Sequence, residues 1–109
     1  MYEILHYLTT GGVDVFEAWL DHLADATAVA RIIARIDRLQ AGNFGDHKSV
    51  GASVWELRIN HGPGYRVYYS LAGRRVVLLL CGGDKRKQSS DIRRAIGMLK
   101  DYKRTEPKS

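Results

Sequence analysis

The spacing of apolar residues predicts one strand and two helices in the first part of the chain. Residues 2–9 mix aromatic, β-branched and polar side chains and stop before a glycine pair, as a strand does before a turn. Apolar residues then recur every three or four positions, the spacing of one helical face. Asp25, which is suited to cap a helix, separates two such groups, and Gly42 closes the second. The groups are Phe16, Trp19, Leu20 and Leu23, then Val29, Ile32, Ile33, Ile36 and Leu39.

The second half of the chain predicts three consecutive strands and a closing helix. Residues 43–52 are polar and glycine-rich, which predicts a loop. Residues 54–59 and 65–71 alternate between apolar and polar side chains, whereas residues 76–81 are apolar throughout, as in a covered central strand. We expect this third strand to end at Gly82 and Gly83. The apolar face of the last helix is predicted to be Ile92, Ala95, Ile96, Leu99 and Tyr102.

This order of elements predicts an α+β fold, with an antiparallel three-stranded meander and helices packed on one face of the sheet. A chain of 109 residues closes one core, so we expect a single domain over residues 1–104 and a flexible tail over 105–109. Cys81, the only cysteine, lies in an apolar run and should be buried and inert. The absence of a long apolar run or a signal peptide predicts a soluble, cytoplasmic protein without membrane contact.

Charge adds a preference for an anionic partner. Lys and Arg number 17 against 12 Asp and Glu, giving a net charge of +5, which taken alone is compatible with nucleic acid, an acidic protein or a membrane surface. Arg31, Arg35 and Arg38 form a row on the second predicted helix. Because Asp37 interrupts the row, a solvated helix face is favoured there over a phosphate contact.

Polar residues of the meander are candidates for a shared site. The two-residue period of a strand places Glu56, Arg58, Arg66 and Tyr68 on one sheet face, opposite the apolar core. His61, in the following turn, is expected to border this face. So are the three cations that follow the last strand, Lys85, Arg86 and Lys87.

Such a patch suits RNA cleavage without a metal ion, in which the 2′-hydroxyl attacks the adjacent phosphate. Arginines stabilise the charge that develops on the phosphoryl oxygens, and Glu56, His61, Lys85 and Tyr68 are available for proton transfer. The sequence lacks metal-ligand spacing, a nucleophile elbow and a phosphate-binding glycine loop, so we expect neither a metal nor another cofactor. The structural alternatives stay open, since a Glu–Arg pair on a strand is commonly an ordinary salt bridge.

Three motifs resemble the addiction-module killer branch of the RelE/ParE toxin superfamily, close to the HigB-like toxins. They are W-E-L-R-I at 55–59, G-P-G-Y-R-V-Y-Y at 62–69 and L-L-L-C-G-G-D-K at 78–85, with Gln88 and D-I at 91–92 following. The resemblance implies a RelE-like fold and the toxin of a type II toxin–antitoxin system, an endoribonuclease that cleaves mRNA on the ribosome. It also implies a helix-turn-helix antitoxin encoded nearby. The toxin would contact operator DNA only through this antitoxin.

The resemblance also implies roles for individual residues. Arg66 and Arg86 match phosphate-stabilising positions of RelE-like enzymes, and Arg58 and Lys85 match basic positions nearby. We therefore predict one set of catalytic residues and one set of RNA-binding residues. The catalytic set is Arg66, Arg86, Glu56, Lys85 and Tyr68, and the RNA-binding set is Arg58, His61 and Lys87.

The chain departs from RelE at positions that matter for proton transfer. Val54 and Glu56 stand where RelE has lysines, and Ile92 stands where it has a catalytic tyrosine. Glu56 is accordingly a candidate to replace a lysine as the base. Two other functions stay open: a ParE-like toxin that inhibits DNA gyrase by binding alone, which the arginine cluster disfavours, and a degenerate relative that only binds its partner.

Overall fold

The computed structural model describes residues 1–105, which form one five-stranded sheet and three α-helices. The strands are β1 (Glu3–His6), β2 (His47–Gly51), β3 (Val54–Ile59), β4 (Tyr65–Gly73) and β5 (Val76–Asp84). The helices are α1 (Val15–Asp21), α2 (Ala26–Gln40) and α3 (Gln88–Thr105), and a short 3-10 turn, Lys85–Lys87, precedes α3. The predicted α+β class is confirmed, and the architecture is compatible with a RelE-like fold. Thr105 belongs to α3, and the rest of the predicted tail lies outside the described residues.

The sheet has the strand order β1-β5-β4-β3-β2. Strands β3, β4 and β5 form the predicted antiparallel meander, and β1 pairs with β5 in parallel. The segment predicted to be a loop contains β2, which pairs with β3, so the loop prediction was wrong there. Because β2 lies at the sheet edge with mostly exposed side chains, it has no apolar run from which a strand could be predicted. Its Lys48 is typical of edge strands.

Helices cover both faces of this sheet, which corrects the prediction of helices on one face. Helices α1 and α2 pack on the face that carries Leu57, Val67 and Leu79. Helix α3 packs on the opposite face, against Tyr68 and Leu78. The three meander strands are therefore covered on both sides, and Glu56, a charged residue that faces α3, is buried with its apolar neighbours.

The Gly82-Gly83 pair lies inside β5, which continues to Asp84 instead of ending at the glycines as predicted. A Cβ atom at Gly82 would lie 2.3 Å from the ring of Trp19 in α1. A Cβ atom at Gly83 would lie 2.0 Å from Oδ2 of Asp91 in α3. The two glycines thus allow α1 and α3 to approach the strand from its two faces.

Cys81 is fully buried in β5, as predicted. Burial raises the pKa of its thiol to about 12, so the thiol stays protonated and unreactive at neutral pH. Over residues 1–105, none of the helices combines the length and the apolar character that crossing a membrane requires.

Replacing Tyr7 by phenylalanine is expected to lower the melting temperature at neutral pH and to have less effect in acid. The Tyr7 hydroxyl donates a 2.6 Å hydrogen bond to Asp101 of α3, and this bond is the main cause of the lowered pKa of that carboxyl. A lowered pKa in the folded state stabilises the protein above the ordinary aspartate pKa, and this stabilisation is lost as the pH falls through the lowered value.

Thermal unfolding at about pH 7 and about pH 2 measures this effect. Tyr102→Phe is the control, because the Tyr102 hydroxyl makes no hydrogen bond within residues 1–105. An equal loss for both variants, or a Tyr7→Phe loss that does not change with pH, would contradict the prediction.

Candidate functional site

The pairing of β3, β4 and β5 brings the four predicted strand residues together on the face covered by α3. Glu56 lies directly opposite Tyr68, and Arg58 lies directly opposite Arg66. Directly paired residues of neighbouring strands project to the same face, so the four side chains are neighbours. Arg66 is in turn paired with Gly83, whose missing side chain leaves room for α3 beside the arginines.

The Glu56 carboxylate is the centre of this group. Its Oε1 atom accepts a hydrogen bond from Nε of Arg58 at 3.1 Å and lies 3.5 Å from Nε of Arg66. Its Oε2 atom accepts hydrogen bonds from the Tyr68 hydroxyl at 3.1 Å and from Nε2 of Gln88 at 2.7 Å. We call these five residues the Glu56 cluster. Both oxygens of the carboxylate are occupied within it.

Glu56 and Tyr68 do not form an exposed patch, contrary to the prediction from the strand period. Both residues are 0% exposed, because the first turn of α3 covers them. Burial and the adjacent Glu56 charge raise the pKa of Tyr68, so its hydroxyl remains a neutral donor to Glu56. In this arrangement neither side chain is open to solvent, and their hydrogen bonds are made within the Glu56 cluster.

The two arginines of the Glu56 cluster reach the surface. The side chains of Arg58 and Arg66 are 32% and 13% exposed, so part of each meets solvent while its Nε atom lies beside Glu56. Nη1 of Arg66 also donates to the backbone oxygen of Tyr65 at 3.1 Å. The arrangement fixes two neighbouring cations at one rim of the sheet.

The glycine-proline-glycine turn brings Lys85 to the same rim. Gly64 has a φ of +83°, and a Cβ atom there would lie 3.4 Å from Nη1 of Arg66 and 3.7 Å from Cβ of Lys85. The Gly64 oxygen accepts a hydrogen bond from the Lys85 backbone N–H at 2.9 Å. Lys85 is exposed, so its ammonium group is available to an anion beside Arg66.

Other predicted site residues lie at the border or are engaged elsewhere. Arg86 is 80% exposed and bonds to Asp84 at 2.8 Å, which raises the pKa of Arg86 and lowers that of Asp84. Lys87 is exposed on the same turn. His61 lies 3.0 Å from Asp25, the residue that caps α2, and makes no contact with Glu56.

Two neighbours of Glu56 were not predicted to be functional. Gln88 was noted only as part of a motif, although it donates the shortest hydrogen bond to the carboxylate. Lys48 of β2 lies opposite Glu56 in the sheet and is exposed.

The turn that joins β2 to β3 has positive φ at Ala52 and Ser53, as a type I′ turn requires. These residues lack the usual Asn-Gly signal, so the hairpin could not be recognised from the sequence.

One group of side chains within residues 1–105 has the donor types of a metal site. Ligand atoms of His6, Asp14 and Glu17 lie within 4.8 Å of one another on β1 and α1. Asp14 already caps α1, and its Oδ2 atom is 2.7 Å from Nδ1 of His6. These residues lie on the sheet face opposite the Glu56 cluster, and His6 and Asp14 are bonded to each other without an ion, whereas Glu17 is exposed.

The fold and the cluster define a class of protein, a small basic α+β domain in which two arginines lie against one buried carboxylate. The chain belongs to the family of phage-derived Gp49-like proteins, whose family model matches residues 18–100. This family is associated with toxin–antitoxin-like proteins. An uncharacterized protein of Haemophilus influenzae is 54% identical over 80 residues, which cover 73% of this chain and 81% of that protein. The family match includes the whole Glu56 cluster.

Proposed function

We propose that the protein is the toxin of a type II toxin–antitoxin pair and cleaves RNA without a metal ion. The observation that carries the proposal is the pair Arg58 and Arg66, which a buried Glu56 carboxylate holds at the surface beside Lys85. A protein that only blocks a partner has no need of a clamp for a phosphate. The resemblance to RelE-like toxins and the toxin–antitoxin association of the family support the same function.

In this mechanism the Glu56 cluster stabilises the negative charge of the transition state. Glu56 itself neither accepts nor donates a proton. As the 2′-oxygen bonds to phosphorus and the bond to the 5′-oxygen breaks, negative charge grows on the phosphoryl oxygens. Arg66 and Arg58 donate hydrogen bonds to these oxygens, and Arg86 joins them on release from Asp84. Glu56, Tyr68 and Gln88 position the two guanidinium groups.

The two proton transfers fall to exposed groups. Lys85 lies beside Arg66 and donates a proton to the leaving 5′-oxygen, and His61, near the same turn, accepts the proton of the attacking 2′-hydroxyl. Lys48, on the same sheet face as Glu56, adds a further cation.

The partners follow from the same proposal. The RNA is mRNA on the ribosome, and a helix-turn-helix antitoxin keeps the toxin silent. A net charge of +5 favours an acidic segment of the antitoxin over the cationic rim.

The test is to express the chain without an antitoxin in a bacterial host and map the 5′ ends of cellular mRNA, beside an Arg66→Ala variant. We expect growth arrest with new 5′ ends inside translated regions, and neither in the variant. Growth arrest with intact mRNA and DNA damage would favour gyrase inhibition instead. Growth without arrest would show that the chain has no toxic activity.

A further inference from the structure

A second cationic surface lies on α2, on the side of the sheet opposite the Glu56 cluster. Arg31, Arg35 and Arg38 are spaced by four and three residues and therefore share one helix face. With Ala34, Ile59 and Asn60 they line a groove of about 210 Å³, which we call the α2 groove.

Arg35 forms the floor of the α2 groove and is held in place by backbone oxygens. Its guanidinium donates hydrogen bonds to the carbonyl groups of Arg58, Phe44 and Asp46, the latter two at 3.1 and 3.2 Å. These acceptors are neutral, so the positive charge of Arg35 is not cancelled by an ion pair. Burial and the proximity of Arg38 lower the pKa of Arg35, while the Asp46 charge has the opposite effect.

Arg31 and Arg38 form the walls of the groove. Both are exposed, and neither has an ion pair in the part of the chain that the structure describes. Asp37, which interrupts the arginine row in the sequence, faces the other side of α2, where it lines a cavity between α1 and α2. Asp37 therefore does not separate the three arginines of the α2 groove from a bound phosphate.

The α2 groove is connected to the Glu56 cluster through Arg58. The backbone oxygen of Arg58 accepts a hydrogen bond from Arg35, and the Arg58 side chain bonds to Glu56 on the other sheet face. The two cationic surfaces thus meet at the end of β3, so one continuous anionic chain that passes around this end would contact both.

We propose that the α2 groove binds the phosphate backbone of the single-stranded RNA that continues beyond the scissile bond. This inference rests on the proposed function, in which the ligand of the Glu56 cluster is RNA. Guanidinium groups match the geometry of phosphate oxygens. The groove lining offers only Ala34 and Ile59 as apolar residues, which is too little for the apolar centre of a protein interface.

The test measures the affinity of the full chain for a fluorescent single-stranded RNA that carries 2′-O-methyl groups and cannot be cleaved. Fluorescence anisotropy titrations between about 50 and 200 mM salt give the slope of log affinity against log salt. The variant is Arg31→Gln with Arg38→Gln. Its control is Arg93→Gln with Lys100→Gln, which removes the same charge from exposed positions seven residues apart on α3.

We expect the α2 double variant to bind several-fold more weakly and to lower the salt slope by about 1.4, because two phosphate contacts to a single strand are lost. The α3 double variant should keep the native slope. Equal behaviour of the two variants would overturn the α2 groove as a specific site. The proposal would also be overturned if the α2 double variant bound RNA as the native chain does and had lost only its binding to an acidic antitoxin.

Failure of the α2 groove is distinguishable from failure of the proposed function. Loss of cleavage in Arg66→Ala together with unchanged RNA binding in the α2 variant would overturn the groove alone. If the native chain neither binds the 2′-O-methyl RNA nor cleaves mRNA, both proposals are overturned.

Discussion

Replacing Arg66 by alanine is expected to slow RNA cleavage by about 10²- to 10³-fold, the loss typical of removing one donor to the charge of a transition state. Arg66 is the more deeply held of the two arginines in the Glu56 cluster, and its Nε atom lies 3.5 Å from Oε1 of Glu56. Glu56 keeps its hydrogen bonds from Arg58, Tyr68 and Gln88 in this variant, so the cluster retains its other contacts. The measurement is the single-turnover cleavage rate of an mRNA bound to ribosomes.

Two further variants separate catalysis from stability. Arg66→Lys keeps a positive charge beside Glu56 but loses the planar set of N–H donors of the guanidinium group. We therefore expect this variant to remain folded and its cleavage rate to fall at least about 10-fold. Arg75→Ala removes an exposed arginine from the far hairpin and should cleave as the native chain does. Native rates in Arg66→Ala would refute the phosphate role of Arg66. Equal losses in Arg75→Ala would indicate a general charge effect.

Replacing Gly83 by alanine is expected to lower the free energy of unfolding by about 3 kcal/mol, the upper end of the usual cost of overpacking. The new Cβ atom would lie 2.0 Å from Oδ2 of Asp91, and Asp91 is only 3% exposed. Relief of this overlap requires the buried Asp91 side chain to leave its place and its ion pair with Arg94, or α3, which also carries Gln88, to move away from β5. Urea unfolding measures the change.

The same substitution at Gly97 provides a matched control with the opposite sign. Gly97 lies on the exposed side of α3, and a Cβ atom there meets nothing within 4 Å. Gly97→Ala should therefore raise the free energy of unfolding by about 0.5 to 1 kcal/mol through helix propensity.

A double variant identifies the atom responsible for the Gly83 effect. Oδ2 of Asp91 makes no hydrogen bond, so its removal by Asp91→Ala leaves room for the new methyl group. Gly83→Ala combined with Asp91→Ala should be more stable than Gly83→Ala alone. A double variant as unstable as the single one would place the strain elsewhere in β5.

The strand period predicted which residues of the site are neighbours, but it did not predict their exposure. Alternation within 54–59 and 65–71 correctly grouped Glu56, Arg58, Arg66 and Tyr68 on one face. The prediction that this face is a polar surface was wrong for Glu56 and Tyr68, because α3 packs on it. Local periodicity reports the two faces of a strand and carries no information on which distant helix covers each face.

The sequence by itself determined the three helices, four of the five strands and the α+β class, because apolar spacing fixes which residues a helix or strand can bury. It also determined that two adjacent strands carry two arginines, Arg58 and Arg66, on one face. The tertiary structure alone decided that β2 completes the sheet, that helices cover both of its faces and that Glu56 is buried. The tertiary structure also places Asp37 on the side of α2 that faces away from the α2 groove. These features depend on contacts between segments far apart in the chain, where burial and charge are set by the neighbour and not by the local pattern.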